Sequence, residues 1–144
     1  MNRVLPMRLF ARDITGTITA NQPAVEVEWR AGRLVIDEPT FNGGQELGPD
    51  PFTMIVAGLV GCTLTTLRMY IRRKGWQIDD ITVHANMLQP QAPFRTVILR
   101  TIVLGADVSD EQGEKLLEIA RNCPAARLLA GEIILDTVLD GEEL

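Results

Sequence analysis

Polar and apolar positions alternate first along residues 24–29, where Val25, Val27 and Trp29 are separated by Glu26 and Glu28. A period of two over such a run predicts a half-buried strand. The turn Arg30-Ala31-Gly32-Arg33 leads into Leu34-Val35-Ile36, so the two runs predict a β-hairpin. Residues 14–19 offer a further strand, and the first dozen residues have no clear period. We therefore read residues 1–23 as an N-terminal arm with a strand at 14–19, and residues 24–144 as one domain.

The period then changes. Residues 39–51 hold the turn formers Asn42-Gly43-Gly44 and Gly48-Pro49-Asp50-Pro51. Asp50 suits a helix N-cap, and Pro51 the first helical position, where its missing N–H is no loss. The long apolar run that follows predicts a helix to about Lys74. Arg72, Arg73 and Lys74 face its negative end, and Gly75 suits a left-handed stop. Its first half is apolar almost all round, which predicts burial on most sides, in part by a second subunit.

Ile81, Val83, Ala85 and Met87 alternate with Thr82, His84 and Asn86, predicting a strand. Residues 94–104 read as its apolar partner strand, joined through the turn-forming residues 89–93. Ser109 and Gln112 fit a capping box for a helix ending near Asn122. Pro124 opens a short helix to Ala130, and residues 132–139 read as a last strand. Strands, a long helix, strands, helices and a strand, in that order, predict an α+β fold rather than alternating βαβ units.

Composition narrows the classes. A chain of 144 residues with 46% hydrophobic and 23% charged residues matches an ordinary globular domain. A net charge of -5 argues against a general nucleic-acid binder. The N-terminus lacks the uninterrupted apolar core of a secretory signal. The uncharged stretch 51–67 is somewhat short of the ~20 residues that span a bilayer, so a core helix is expected, and two cysteines, unlike a disulfide-dense secreted scaffold, predict a cytoplasmic protein.

The candidate chemistry is two cysteines, Cys62 and Cys123, the only two in the chain. A cysteine attacks as its thiolate, which needs a cation, a helix N-terminus or a hydrogen-bonding base close by. Cys123 precedes Pro124 and would sit at a helix start. Cys62 lies about three turns inside its helix, so it needs a cation from elsewhere, which Arg30 or Arg33 of the hairpin turn could supply. Gly58 and Gly61 weaken a helix interior and suggest that something packs closely beside Cys62. Two small core hydrophobes remain the plain alternative for thiols 61 positions apart. His84, the only histidine, falls on the polar side of its strand as an exposed bystander. With one histidine and no CxxC, a zinc site is not expected.

The run from Gly48-Pro49-Asp50-Pro51 to Gly61-Cys62, the long helix and the later Asn122-Cys123-Pro124 resemble the OsmC/Ohr family over roughly residues 25–139. That resemblance implies an OsmC-like fold, intertwined as a homodimer with sites at the subunit interface. It also implies a thiol peroxidase acting on organic hydroperoxides, with no metal, flavin or haem. Cys62 would be the peroxidatic residue and Cys123 the resolving one, with a lipoyl-type dithiol restoring both. Arg30, in an Arg-x-Gly turn, matches the family's thiolate-activating arginine. The family glutamate after the helix-opening proline is replaced by Phe52, and Glu46 is the carboxylate offered in its place. The alternative is a non-catalytic relative that binds a hydrophobic ligand at the dimer interface or senses redox state.

Overall fold

In the computed structural model, residues 8–88 and 95–141 are described. The chain forms two compact units, Met1–Ile55 and Val56–Leu144.

The first unit is an antiparallel sheet in the order β1-β2-β3, with β1 at Thr15–Thr19, β2 at Gln22–Trp29 and β3 at Gly32–Ile36. The expected hairpin is present, with Val27 opposite Leu34 and Glu28 opposite Arg33. Alternation keeps Val25, Val27, Leu34 and Ile36 half-buried, with Glu26 and Glu28 outside. There Arg33 pairs with Glu26 at 2.9 Å and with Glu28 at 3.6 Å. The strand expected in the N-terminal arm is β1, paired with β2.

Asp37, 3% exposed, organises the loop after β3. Its Oδ2 accepts the N–H groups of Gln45 and Leu47, each at 3.1 Å. The chain passes so close to itself that a Cβ at Gly44 would lie 1.8 Å from the Glu38 carbonyl oxygen. One at Gly48 would lie 2.0 Å from that of Val35. Between them Glu46 takes the left-handed conformation, φ 55°.

Helix α1, Pro51–Lys74, has the expected bounds because its ends are encoded locally. Asp50 accepts the N–H groups of Phe52 and Thr53 at 3.0 and 3.1 Å and the Thr53 hydroxyl. Gly75 stops the helix at φ 69°. By length and mean hydropathy alone α1 is apolar enough to cross a membrane, but its second half is a core helix. There Leu67, Tyr70 and Ile71 join Ile78 and, from the next helix, Leu116 and Ala120.

In the single chain the first half of α1 buries Leu59 and leaves much of its apolar surface uncovered. Phe52 is 61% exposed and Ile55 46%, and a Cβ at Gly58 or Gly61 would meet nothing within 4 Å. Among the described residues nothing within that distance gives either glycine a packing reason.

The rest of the second unit closes on α1. Arg68 donates to the carbonyls of Ile78, at 2.6 Å, and Asp79, tying the helix to the start of β4, Ile81–Leu88. This strand pairs antiparallel with β5, Val97–Leu104. The connecting residues 89–94 lie outside the described residues. Helix α2, Asp110–Arg121, begins with the expected capping box between Ser109 and Gln112. Helix α3, Pro124–Ala130, follows with Pro124 in its first turn. The last expected strand is absent: residues 132–139 form no ladder. Among the described residues their strand-like pattern joins no ladder, and Ile134 and Leu135 are 82% and 85% exposed.

Candidate active site

Two helices bring the cysteines together. Cys62 points from α1 and is half-buried, while Cys123 is the N-cap of α3 and 0% exposed. Both are free thiols. The N–H of Ala125, in the first turn of α3, donates to Cys62 Sγ at 3.4 Å. Thr63, the next residue of α1, places its hydroxyl 3.8 Å from Cys123 Sγ. The sequence reading of a Cys-Pro helix start is met: Pro124 has no N–H to contribute, so the donors are the two alanines beyond it.

A cation completes the cluster, and it comes from β5. Arg100 Nη1 donates to Thr63 Oγ1 at 2.9 Å and to the Ala120 carbonyl at 3.0 Å. Ala120 O also accepts the Cys123 N–H at 3.4 Å, so one carbonyl links the guanidinium to the backbone of the thiol. Burial pushes the Cys123 thiol up. The Ala126 N–H, the Thr63 hydroxyl, the Cys62 thiol and the Arg100 charge outweigh it, and Cys123 titrates below its ordinary value.

Sequence reasoning missed both Thr63 and Arg100. Thr63 was hidden in an apolar run. Arg100 belongs to a segment read simply as an apolar strand, although the structure separates its two faces: Val97, Leu99 and Val103 are exposed, while Ile98, Arg100, Ile102 and Leu104 are not. Parity was the available signal, because Arg100 is the only charge in phase with those inner aliphatics. Its cross-strand partner is Ala85, a small residue that leaves room for a long side chain.

Arg30 and Glu46 belong to the first unit, both exposed, Arg30 in the turn between β2 and β3 and Glu46 in the loop after it. Phe52 is also exposed. His84 is exposed on β4, as its strand phase predicted. Among the described residues no three His, Cys, Asp or Glu side chains gather as a metal site.

The fold is α+β, and it sets two free cysteines beside one threonine and one arginine. The model of the OsmC-like protein family matches residues 43–138, and the chain belongs to that family. Solved structures agree on the fold. An OsmC-like protein from Mycoplasma pneumoniae superposes with a TM-score of 0.69 at 18% identity, covering 83% of this chain and 86% of the other. The organic hydroperoxide resistance protein OhrB of Bacillus subtilis gives 0.60 at 18%, covering 86% and 93%. An organic hydroperoxide resistance protein OsmC from Legionella pneumophila gives 0.59 at 17%, covering 84% and 91%. No curated protein matches the chain.

Proposed function

We propose that this protein is a cysteine-based peroxidase for organic hydroperoxides, working as a homodimer in the cytoplasm. The observation that carries the reading is the shared hydrogen-bond network of the two thiols, with Cys62 the accessible member and Cys123 the enclosed one. A hydroperoxide reaches Cys62 first. Its thiolate attacks the O–O bond and becomes a sulfenic acid, and the alcohol leaves. The Cys123 sulfur then attacks the sulfenic sulfur, water departs, and a disulfide forms. A dithiol of the lipoyl type returns both thiols and leaves as its own disulfide.

We assign Arg30 the role of thiolate-activating cation and Glu46 that of orienting carboxylate, on the family resemblance. Arg30→Ala would then lower the rate of Cys62 oxidation, and Glu46→Gln would do so less. The decisive assay is consumption of cumene hydroperoxide in the presence of dihydrolipoamide. Wild type turns over, and Cys62→Ser falls to the rate without protein. Equal, slow consumption by both, with lipid retained through purification, would replace the peroxidase by the ligand-binding reading.

A further inference from the structure

The thiols differ in access and in company, and this difference bears on the half of the cycle that restores them. Cys123 is fully enclosed, so an incoming reductant sulfur can reach only Cys62. We propose that Thr63 and Arg100 form a leaving-group station for Cys123, with Thr63 contacting the departing sulfur and Arg100 acting through it as a positioning residue. The proposal rests on the Cys62–Cys123 disulfide of the reading above.

The chemistry follows from where the electrons go. A reductant thiolate attacks Cys62 Sγ, a sulfur–sulfur bond forms there, and the Cys62–Cys123 bond breaks. Its electron pair stays on Cys123 Sγ, which departs as a thiolate. The second thiol of the reductant then attacks its own sulfur in the mixed disulfide and releases Cys62. The reductant leaves as a disulfide, having given up two electrons and two protons. Thiol–disulfide exchange runs faster when the departing sulfur is better stabilised as an anion.

The Thr63 hydroxyl is set to provide that stabilisation. It is 0% exposed and has one proton and two lone pairs. Arg100 Nη1 occupies one lone pair. The proton has two destinations, the Leu59 carbonyl at 2.7 Å and Cys123 Sγ at 3.8 Å. With Cys123 as a thiol, the S–H donates to the second lone pair and the hydroxyl proton goes to Leu59. With Cys123 as a thiolate, the hydroxyl rotates and donates to sulfur. Leu59 O loses a bond it can spare, because a carbonyl inside a helix keeps its i+4 N–H. Arg100 holds the oxygen through this rotation, and its bond to Ala120 O fixes the backbone that carries Cys123.

The test uses whole protein whose disulfide is made with diamide and then reduced with dithiothreitol under rapid quench. Thr63→Val keeps the shape and removes the hydroxyl; reduction is expected to slow about tenfold, the loss of one hydrogen bond to a charged group. Thr63→Ser restores the rate to within about threefold, which a purely structural role for the methyl-bearing side chain would not predict. With a monothiol in place of the dithiol, mass mapping on wild type places the adduct on Cys62 and needs no variant to fold. Wild-type reduction by Thr63→Val, failure of Thr63→Ser to recover, or an adduct on Cys123 would each overturn the station. Failure of cumene hydroperoxide to form the disulfide would instead overturn the peroxidase reading, because diamide still supplies the bond on which this test is read.

Discussion

Replacing Gly58 and Gly61 together by alanine tests the homodimer through the sign of the outcome. Within one chain the change is favourable: both sites are helical, and an added Cβ meets nothing within 4 Å at either. Glycine in a helix interior is about 1 kcal/mol worse than alanine, so the pair gains about 2 kcal/mol. At ~2.1 cal/mol/K per residue, a chain of 144 residues has a melting entropy of roughly 0.3 kcal/mol/K, and the gain raises the midpoint by about 6 °C. A second copy packed on the exposed face of α1 reverses this. Inserting a methyl into a packed contact costs about 1–3 kcal/mol per site. The helix-propensity gain is common to monomer and dimer, so the dissociation constant isolates the clash. Sedimentation velocity over a dilution series is expected to show dimer dissociation strengthened by at least about tenfold, with a midpoint that does not rise. A midpoint about 6 °C higher with association unchanged would refute a dimer built on this face of α1.

Leu67→Ala, at a fully buried position in the core beside Ile71 and Leu116, should lose about 3–5 kcal/mol and lower the melting midpoint by roughly 10 °C or more; calorimetry measures it, and a loss near zero would refute the burial of Leu67 in a packed core. Cys123 titrates below its ordinary value of 9.0, so its deprotonation favours the folded state. The groups acting on it are Cys62 on α1 and Arg100 on β5, with the Thr63 hydroxyl and the Ala126 N–H. Stability linked to this thiol is therefore complete above 9.0 and is lost as pH falls through the lower folded value. Ultraviolet thiolate absorbance of Cys62→Ser should show the Cys123 transition, and Arg100→Gln should move it upward; no movement would remove the guanidinium from the balance. Asp50→Ala should lower the midpoint by uncapping α1. The Asp50 carboxyl is held below 3.8 by the Thr53 hydroxyl and N–H, with a smaller pull from the Phe52 N–H. Its contribution is present above 3.8 and disappears as pH falls through the lower folded value, so the difference between wild type and variant should vanish in acid.

What could be read from the sequence was what one turn of chain decides. Asp50-Pro51 and Gly75 bound α1, Ser109 and Gln112 start α2, and Pro124 starts α3, because each acts on backbone groups within four residues of itself. The pairing of Cys62 with Cys123 was legible only through a family pattern, since no local rule joins residues 61 positions apart. Arg100 was harder still. Its role needs the phase of β5, the smallness of Ala85 across the ladder and a threonine on a helix 37 positions earlier, and no single one of these marks it.

The exposed start of α1 and the unformed last strand have one physical form. The apolar start of α1 and the strand-like residues 132–139 are both patterned for contact, yet Phe52, Ile55, Ile134 and Leu135 stay exposed. A helix can form without a neighbour because its hydrogen bonds are internal, so α1 is complete while its face stays bare. A strand cannot, because its hydrogen bonds belong to the ladder, so residues 132–139 remain irregular. A partner copy that supplied an edge would convert those residues to a strand while it covered α1. Segment-resolved hydrogen exchange on a dilution series should therefore show protection at 132–139 and at the first half of α1 appearing together with the dimer. Protection at either segment that is independent of concentration would separate the two and remove the common cause.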